Sequence, residues 1–158
     1  RYQRGFIVAL NGAIALMEED GTFRRIRGAN AITVRNGDRF SAQSLTTSDE
    51  PFISIGLLAA EDAADPGAAT FPIEDGKYSF ELWRIVLQET NLAAFDLFMQ
   101  ESPFPVLIFM ERGDLDVTPN SEETQSLASG SSQIVAPGAN YELTGTSASI
   151  LVARLTPL

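Results

Sequence analysis

The chain contains no histidine and no cysteine, and this limits its chemistry more than any other feature of its 158 residues. Histidine is the commonest general base and, with cysteine, the commonest ligand of zinc and related metals. Without cysteine there is no disulfide and no thiolate metal site. A serine nucleophile would also have no imidazole to act as its base. We therefore predict no catalytic residues, no metal site and no cofactor.

Lysine and long apolar runs are also scarce. Lys77 is the only lysine, and it lies in a segment with turn composition, so serine–lysine chemistry is not expected. No uninterrupted apolar stretch approaches the roughly 20 residues that a membrane-spanning helix needs. The apolar run at residues 6–10 is too short for the core of a signal peptide. We expect a soluble, cytoplasmic protein with no membrane partner.

Negative charge dominates the chain, but unevenly. The formal net charge is −10, with 11 basic and 21 acidic residues. Residues 1–40 hold seven of the basic residues against four acids, so the remainder is strongly acidic. A field of this sign repels nucleic acid at long range, so we expect no nucleic-acid partner.

Short apolar or alternating runs separated by turn dipeptides follow one another along the chain. The dipeptides Asn11-Gly12, Asp20-Gly21 and Asn36-Gly37 supply the positive φ that tight hairpin turns require. Residues 59–76, rich in alanine, acids, proline and glycine, have the composition of a linker. This pattern is typical of an all-β sandwich or barrel with accessory helices at most. The predicted strands are residues 5–10, 13–16, 22–26, 31–34, 51–58, 78–87, 93–98, 105–110, 114–117, 123–127, 133–135, 140–143 and 149–153.

A repeat at an offset of 101 residues links the two halves of the chain. It places Gly12 on Gly113 and Gly37 on Gly138. It also aligns aliphatic positions: Ile14 with Leu115, Leu16 with Val117, Ile26 with Leu127, and Val34 with Val135. Two copies of one supersecondary unit are indicated. We predict an N-terminal lobe at residues 1–58, a linker at 59–76 and a C-terminal domain at 77–158.

The second half carries a spacing of glycines that is known from one superfamily. Residues 130–141 read GSSQIVAPGANY, with Gly130 and Gly138 eight residues apart. This stretch resembles the second motif of the cupins, and specifically the C-terminal cupin domain of type I phosphomannose isomerases. Tyr141 stands where that motif has its metal-binding histidine. The His-x-His of the first motif would fall near residues 93–97, which read AAFDL. The resemblance implies an all-β, cupin-like double-stranded β-helix (a jelly-roll barrel) in two packed lobes, a bicupin without metal.

Aromatic and arginine side chains are the candidate ligand-binding residues. Tyr141, Phe95 and Trp83 are predicted to line a barrel mouth, where such folds hold ligands. Arg25 and Arg27 share one face of a predicted strand, in a basic cluster completed by Arg24, Arg35 and Arg39. Paired guanidinium groups suit a small anionic or carbohydrate ligand. The alternative is that this face meets the acidic second half, within the molecule or across a homodimer.

Acidic side chains give two weaker candidates. Glu111, Asp114 and Asp116 are spaced to hold a hard cation, but alternating acids also mark the solvated face of a hairpin. Asp96 and Glu101 are the acids flanked by apolar sequence, as acid–base catalysis would require. We favour the solvated face for the first group and no catalytic role for the second.

Three functions remain open at this point. The leading one is a non-enzymatic cupin-like binding or assembly module. The second is a protein that binds a sugar or sugar phosphate, or an enzyme related to the isomerases. The third is a regulatory β domain of the FecR type, which residues 1–60 loosely resemble through Asp20-Gly21, Gly37-Asp38 and residues 46–49.

Overall fold

Antiparallel strands make up most of the computed structural model, which describes residues 2–10, 12–28, 30–35, 40–45, 51–58, 72–74, 76–120 and 122–158. The chain divides into two compact units, Arg1–Pro66 and Gly67–Leu158. The predicted linker falls mostly outside the described residues, so the predicted domain bounds stay a prediction. In the described part of the chain, no helix has the length and apolar character needed to cross a membrane.

The first unit consists of two three-stranded sheets, ordered β4-β1-β6 and β3-β2-β5. Its core is a cluster of aliphatic side chains that includes Ile7, Ile14, Leu16 and Ile26. The strands are β1 (Tyr2–Ala9), β2 (Ala13–Glu18), β3 (Phe23–Arg27), β4 (Ala31–Arg35), β5 (Phe40–Ser44) and β6 (Phe52–Leu58).

The turn between β2 and β3 confirms the prediction made from Asp20-Gly21. Gly21 has a φ of 84°, and its amide donates to the carbonyl of Glu18 over 3.0 Å. The amide of Thr22 donates to Asp20 Oδ1 over 2.8 Å. A residue with a side chain enters this left-handed region at a cost, which is why glycine stands here. The turn predicted at Asn36-Gly37 lies outside the described residues.

The second unit contains a four-stranded sheet ordered β11-β8-β13-β7 and a three-stranded sheet ordered β10-β9-β12. Its core includes Leu87, Ile108, Met110, Val117 and Ile150, each fully buried. The elements are β7 (Tyr78–Gln88), α1 (Glu89–Gln100), β8 (Val106–Arg112), β9 (Leu115–Thr118), β10 (Gln125–Leu127), β11 (Ser132–Val135), β12 (Asn140–Leu143) and β13 (Ser147–Pro157).

The two units pair their strands in the same order and, in part, in the same register. β2 lies between β3 and β5 as β9 lies between β10 and β12. Ile14 faces Ile26 across the first hairpin, and Leu115 faces Leu127 across the second. The register of β1 with β4 likewise matches that of β8 with β11. The repeat predicted from the sequence is therefore present in the strand pairing of both units.

One predicted strand is wrong. Residues 93–98 were expected to be extended, but they lie inside α1, a helix of 12 residues. The physical reason is the apolar spacing of Leu92, Phe95 and Met99, which puts these side chains on one helix face toward the barrel core. This helix determines the geometry of the site described next.

Candidate functional site

Tyr141 lies inside the second unit, in the apolar core. Its side chain is 8% exposed and belongs to one cluster with Val117, Ile108 and Ile150. Its ring meets that of Phe95 edge to face, with 5.0 Å between centroids and 69° between planes, a favourable geometry for an aromatic pair. Burial raises the pKa of the Tyr141 hydroxyl well above its ordinary value, and the negative charge of Asp96 adds to this effect. The hydroxyl is therefore neutral throughout the physiological range.

Helix α1 packs against β7 and β12 and places two side chains in the core. Phe95 and Met99, one helical turn apart, are 4% and 3% exposed. The start of the helix is fixed by Asn91, whose Oδ1 accepts the amide of Gln88 over 2.8 Å. Asn91 Nδ2 donates to the carbonyl of Val86, also over 2.8 Å. The first bond satisfies the amide of Gln88, which the start of the helix would leave unpaired, and the second ties Asn91 to the end of β7.

The C-terminal half of α1 is held on the sheet by Phe98, which sequence reasoning missed. Its ring meets Trp83 edge to face at 5.6 Å and lies under the guanidinium of Arg154, whose Cζ is 4.2 Å from the ring centroid. Arg154 Nε and Trp83 Nε1 both donate to Glu81 Oε2, over 3.0 and 3.2 Å. These two hydrogen bonds, that of Arg154 foremost, hold the pKa of Glu81 below its usual range.

The three aromatic residues predicted to bind ligand are thus connected through Phe98, which stacks on Phe95 at 6.5 Å. Trp83 is 45% exposed, whereas Phe95 and Tyr141 are buried. A shallow, mostly apolar groove of about 200 Å³ runs between β7 and α1, lined by Ile85, Asn91, Ala94, Phe95 and Phe98. The predicted role of Trp83, Phe95 and Tyr141 in ligand binding stays a prediction.

Asp96 lies beside this aromatic cluster, on the helix and not on a strand as predicted. Its Oδ1 is buried and has no hydrogen-bond partner. Burial raises the pKa of Asp96 above the ordinary value of 3.8. Below pH 3.8 the Asp96 carboxyl is protonated in both the folded and the unfolded protein. As pH rises, the unfolded protein loses this proton first because its carboxyl has the lower pKa. The native state therefore loses stability as pH rises through the folded pKa, and the loss persists at neutral pH.

Replacing Asp96 with asparagine is therefore expected to stabilise the protein at pH 7, by about 1 kcal/mol, and to have little effect near pH 3.5. Urea denaturation at both pH values measures this. Asp114→Asn, at an exposed position, is the matched control and should change stability at neither pH. Equal effects of Asp96→Asn on stability at the two pH values would contradict the raised pKa of the Asp96 carboxyl.

The acids considered for a cation site are engaged elsewhere or dispersed. Arg84 donates to both carboxylate oxygens of Glu111, over 2.8 and 2.6 Å, and Ser149 donates to one of them over 3.0 Å. Burial disfavours the charged form of Glu111, but these partners, Arg84 foremost, outweigh it and lower the pKa of the carboxyl. Asp116 accepts a hydrogen bond from Ser126. Across the described ranges, no three histidine, cysteine, aspartate or glutamate side chains lie close enough to hold a metal ion.

The basic cluster of the first unit separates onto two faces of the β2–β3 hairpin. Arg25 and Arg27 face Ala15 and Ala13, whereas Arg24 faces Leu16 on the opposite face. Arg24 and Arg35, together with Ile32 and Thr33, line a depression of about 510 Å³. The structure therefore brings together Arg24 and Arg35, while Arg25 and Arg27 project elsewhere. Arg39 is outside the described residues, and binding by Arg25 and Arg27 stays a prediction.

No family model matches the sequence, and no curated protein matches it significantly. Solved structures match the fold. A cupin 2 conserved barrel domain protein from Leptotrichia buccalis aligns with 97% of this chain and 74% of its own, at a TM-score of 0.51 and 9% identity. YhhW from Escherichia coli aligns with 100% of this chain and 74% of its own, at a TM-score of 0.54 and 10% identity.

An oxalate decarboxylase from B. subtilis aligns with 99% of this chain at a TM-score of 0.55 and 10% identity, and the chain spans 66% of its length. At these identities the likeness shows the fold and nothing about activity. None of these three is a phosphomannose isomerase, so that finer resemblance stays a prediction. The strand pairing and these likenesses together show that the chain has the all-β cupin fold.

Proposed function

We propose that this chain is a non-enzymatic binding or assembly module with a cupin fold. In this proposal the interior of the second unit is filled by packed side chains and has a structural role only. One observation carries the proposal: Tyr141, at the position where the resemblance expects a metal-binding histidine, packs in the core against Phe95. Most other members of the same core cluster are aliphatic or methionine side chains, such as Ile108, Met110 and Ile150. Helix α1 packs against β7 and β12 and adds Phe95 and Met99 to this core.

Asp96 borders this interior with an unpartnered oxygen, but no three potential ligands lie together among the described residues to hold a cation. Metal sites in proteins use imidazole, thiolate, carboxylate or carbonyl oxygen. The chain has no imidazole and no thiolate anywhere in its sequence. The carboxylate of Glu111 is bound at both oxygens by Arg84. We therefore infer that this chain binds its ligands or partners at its surface, and that the packed core provides a rigid support for that surface.

Metal analysis tests the proposal. Protein purified without a metal-binding tag is expected to hold far less than one transition-metal ion per chain by mass spectrometry. Its melting temperature should be the same with EDTA as with added Mn²⁺, Zn²⁺ or Ni²⁺, because a tightly bound ion would stabilise the native state by mass action. A stoichiometric metal whose removal lowers the melting temperature, or a metal-dependent turnover, would overturn it.

A second candidate function is the binding of a sugar phosphate or another small anion. The observation that favours it is the depression lined by Arg24 and Arg35 in the first unit. This function is compatible with a barrel that has no catalytic centre, and it concerns a different part of the molecule.

A further inference from the structure

The depression in the first unit lies where the outer strands of its two sheets approach each other. β3 is the outer strand of the sheet β3-β2-β5, and β4 is the outer strand of β4-β1-β6, among the strands that the structure describes. Arg24 comes from β3, and Ile32, Thr33 and Arg35 come from β4. Its volume of about 510 Å³ is within the range of small-molecule sites.

The second unit provides an internal comparison, because its outer strands β10 and β11 correspond to β3 and β4. In the repeat, Gln125 corresponds to Arg24 and Gln133 to Ile32, since the paired strands share one register. There the two outer strands are joined by a hydrogen bond from Gln133 Nε2 to Gln125 Oε1 over 2.6 Å. The matching position of the first unit has an arginine and an isoleucine, which cannot form that bridge. The same edge of the fold is thus joined in one unit and open, with basic side chains, in the other.

The side chains around the depression are suited to an anion. A guanidinium group has five N–H donors in a planar fork that matches the oxygens of a phosphate or carboxylate. Arg24 Nη2 contacts Glu18, and that single contact leaves most of its donors for another acceptor. On β1, Arg4 stands directly opposite Arg35. Arg4 thus adds a further basic residue next to Arg35 in the same sheet.

We propose that Arg24 and Arg35, with the hydroxyl of Thr33, bind the oxyanion of a small organic ligand in this depression. The proposal rests on the proposed function as a binding module and names the class of its ligand. The shared chemistry is a phosphate or carboxylate group, and the rest of the ligand occupies the remaining volume against Ile32.

Calorimetric titration and thermal denaturation of the whole chain test it, with inorganic phosphate, glucose 6-phosphate and succinate as three separate probes. At least one probe is expected to bind and to raise the melting temperature. The double variant Arg24→Gln with Arg35→Gln should weaken that binding by at least about 10-fold, because charged hydrogen bonds are lost. Arg25→Gln with Arg27→Gln removes the same charge from the other face of β3 and tests the binding role predicted for those two residues from the sequence. Retained binding supports the site at Arg24 and Arg35, and loss of binding contradicts it.

The three probes also distinguish the sources of the anion. Binding of glucose 6-phosphate above that of phosphate indicates a phosphosugar, and binding of succinate alone indicates a carboxylate. Should one double variant not fold, the single variant Arg35→Gln on an exposed strand position gives the same comparison.

The site is excluded if none of the three probes binds, or if both double variants lose binding equally, which would indicate a general effect of charge. Loss only in the variant of Arg25 and Arg27 would move the site to the opposite face of β3. None of these results depends on the metal content of the protein. Failure of the anion site would therefore not contradict the proposed function, which metal analysis tests separately.

Discussion

Replacing Phe95 with alanine is expected to lower the free energy of unfolding of the second unit by about 3–5 kcal/mol. Phe95 is 4% exposed and packs edge to face against Tyr141, so its removal takes away an aromatic contact and leaves a cavity under α1. The core residues around it, such as Tyr141 and Met99, are themselves buried and have little freedom to move into that space. The cost should therefore be near that of a full phenylalanine deletion.

Urea denaturation followed by tryptophan fluorescence measures this loss. Trp83 is the only tryptophan of the chain and contacts Phe98, so its emission reports on the second unit and on the seating of α1. Leu97→Ala is the matched control, because Leu97 is on the same helix but is 63% exposed, and its loss should stay within about 0.5 kcal/mol. A loss for Phe95→Ala no larger than that of the control would contradict the packing of Phe95 in the core.

Replacing Gly113 with alanine is expected to cost about 3 kcal/mol or more, from two sources that add. Gly113 has a φ of +78°, a region that is unfavourable for a residue with a side chain. A Cβ at this position would also lie 2.7 Å from the carbonyl oxygen of Ser147, at the start of β13. Because that neighbour is backbone, it cannot move without displacing the strand.

A variant at Gly130 distinguishes the cost of the positive φ from the cost of the close contact with β13. Its φ is +85°, but a Cβ there would have nothing within 4 Å. Gly130→Ala should therefore lose only the conformational part, about 1 kcal/mol. Urea denaturation of both variants gives the difference, which is the cost of the close approach to β13. Equal losses in the two variants would mean that the turn alone requires glycine at residue 113.

Much of the fold was predictable because turns and alternation are local properties. Asp20-Gly21 identifies a hairpin without knowledge of the rest of the chain, and the structure has it between β2 and β3. The repeat offset was visible because buried aliphatic positions such as Ile14 and Leu115 recur at the same place in each unit. The resemblance to cupins depended on the same regular spacing, and the structure confirms the fold class.

Helix α1 could not be distinguished from a strand by composition alone. Residues 93–98 are apolar and short, and a run of that kind fits either state. The signal that would have separated them is the wider spacing of Leu92, Phe95 and Met99, which is helical. The contact of Arg154 with Phe98 joins residues far apart in sequence, and nothing local marks it.

For the candidate site, the sequence could indicate positions but not the contacts between them. The placement of Tyr141 in the barrel followed from its position in the motif, and its contact with Phe95 depended on a helix that was not predicted. Among the arginines, alternation along the strand predicted the shared face of Arg25 and Arg27, but not which face borders the depression. Which arginines share a depression is decided by the approach of β4 to β3, and that is a tertiary property with no local sequence signal.

Strand β13 pairs with β7 along its whole length on one side and with β8 on the other. Both partners precede it in the chain, and they are not hydrogen-bonded neighbours of each other. While the protein is being synthesised, β7 and β8 therefore leave the ribosome before the strand that joins them. The nascent second unit must keep two apolar strand edges unpaired until then, which is the interval in which a growing β chain is most prone to aggregate.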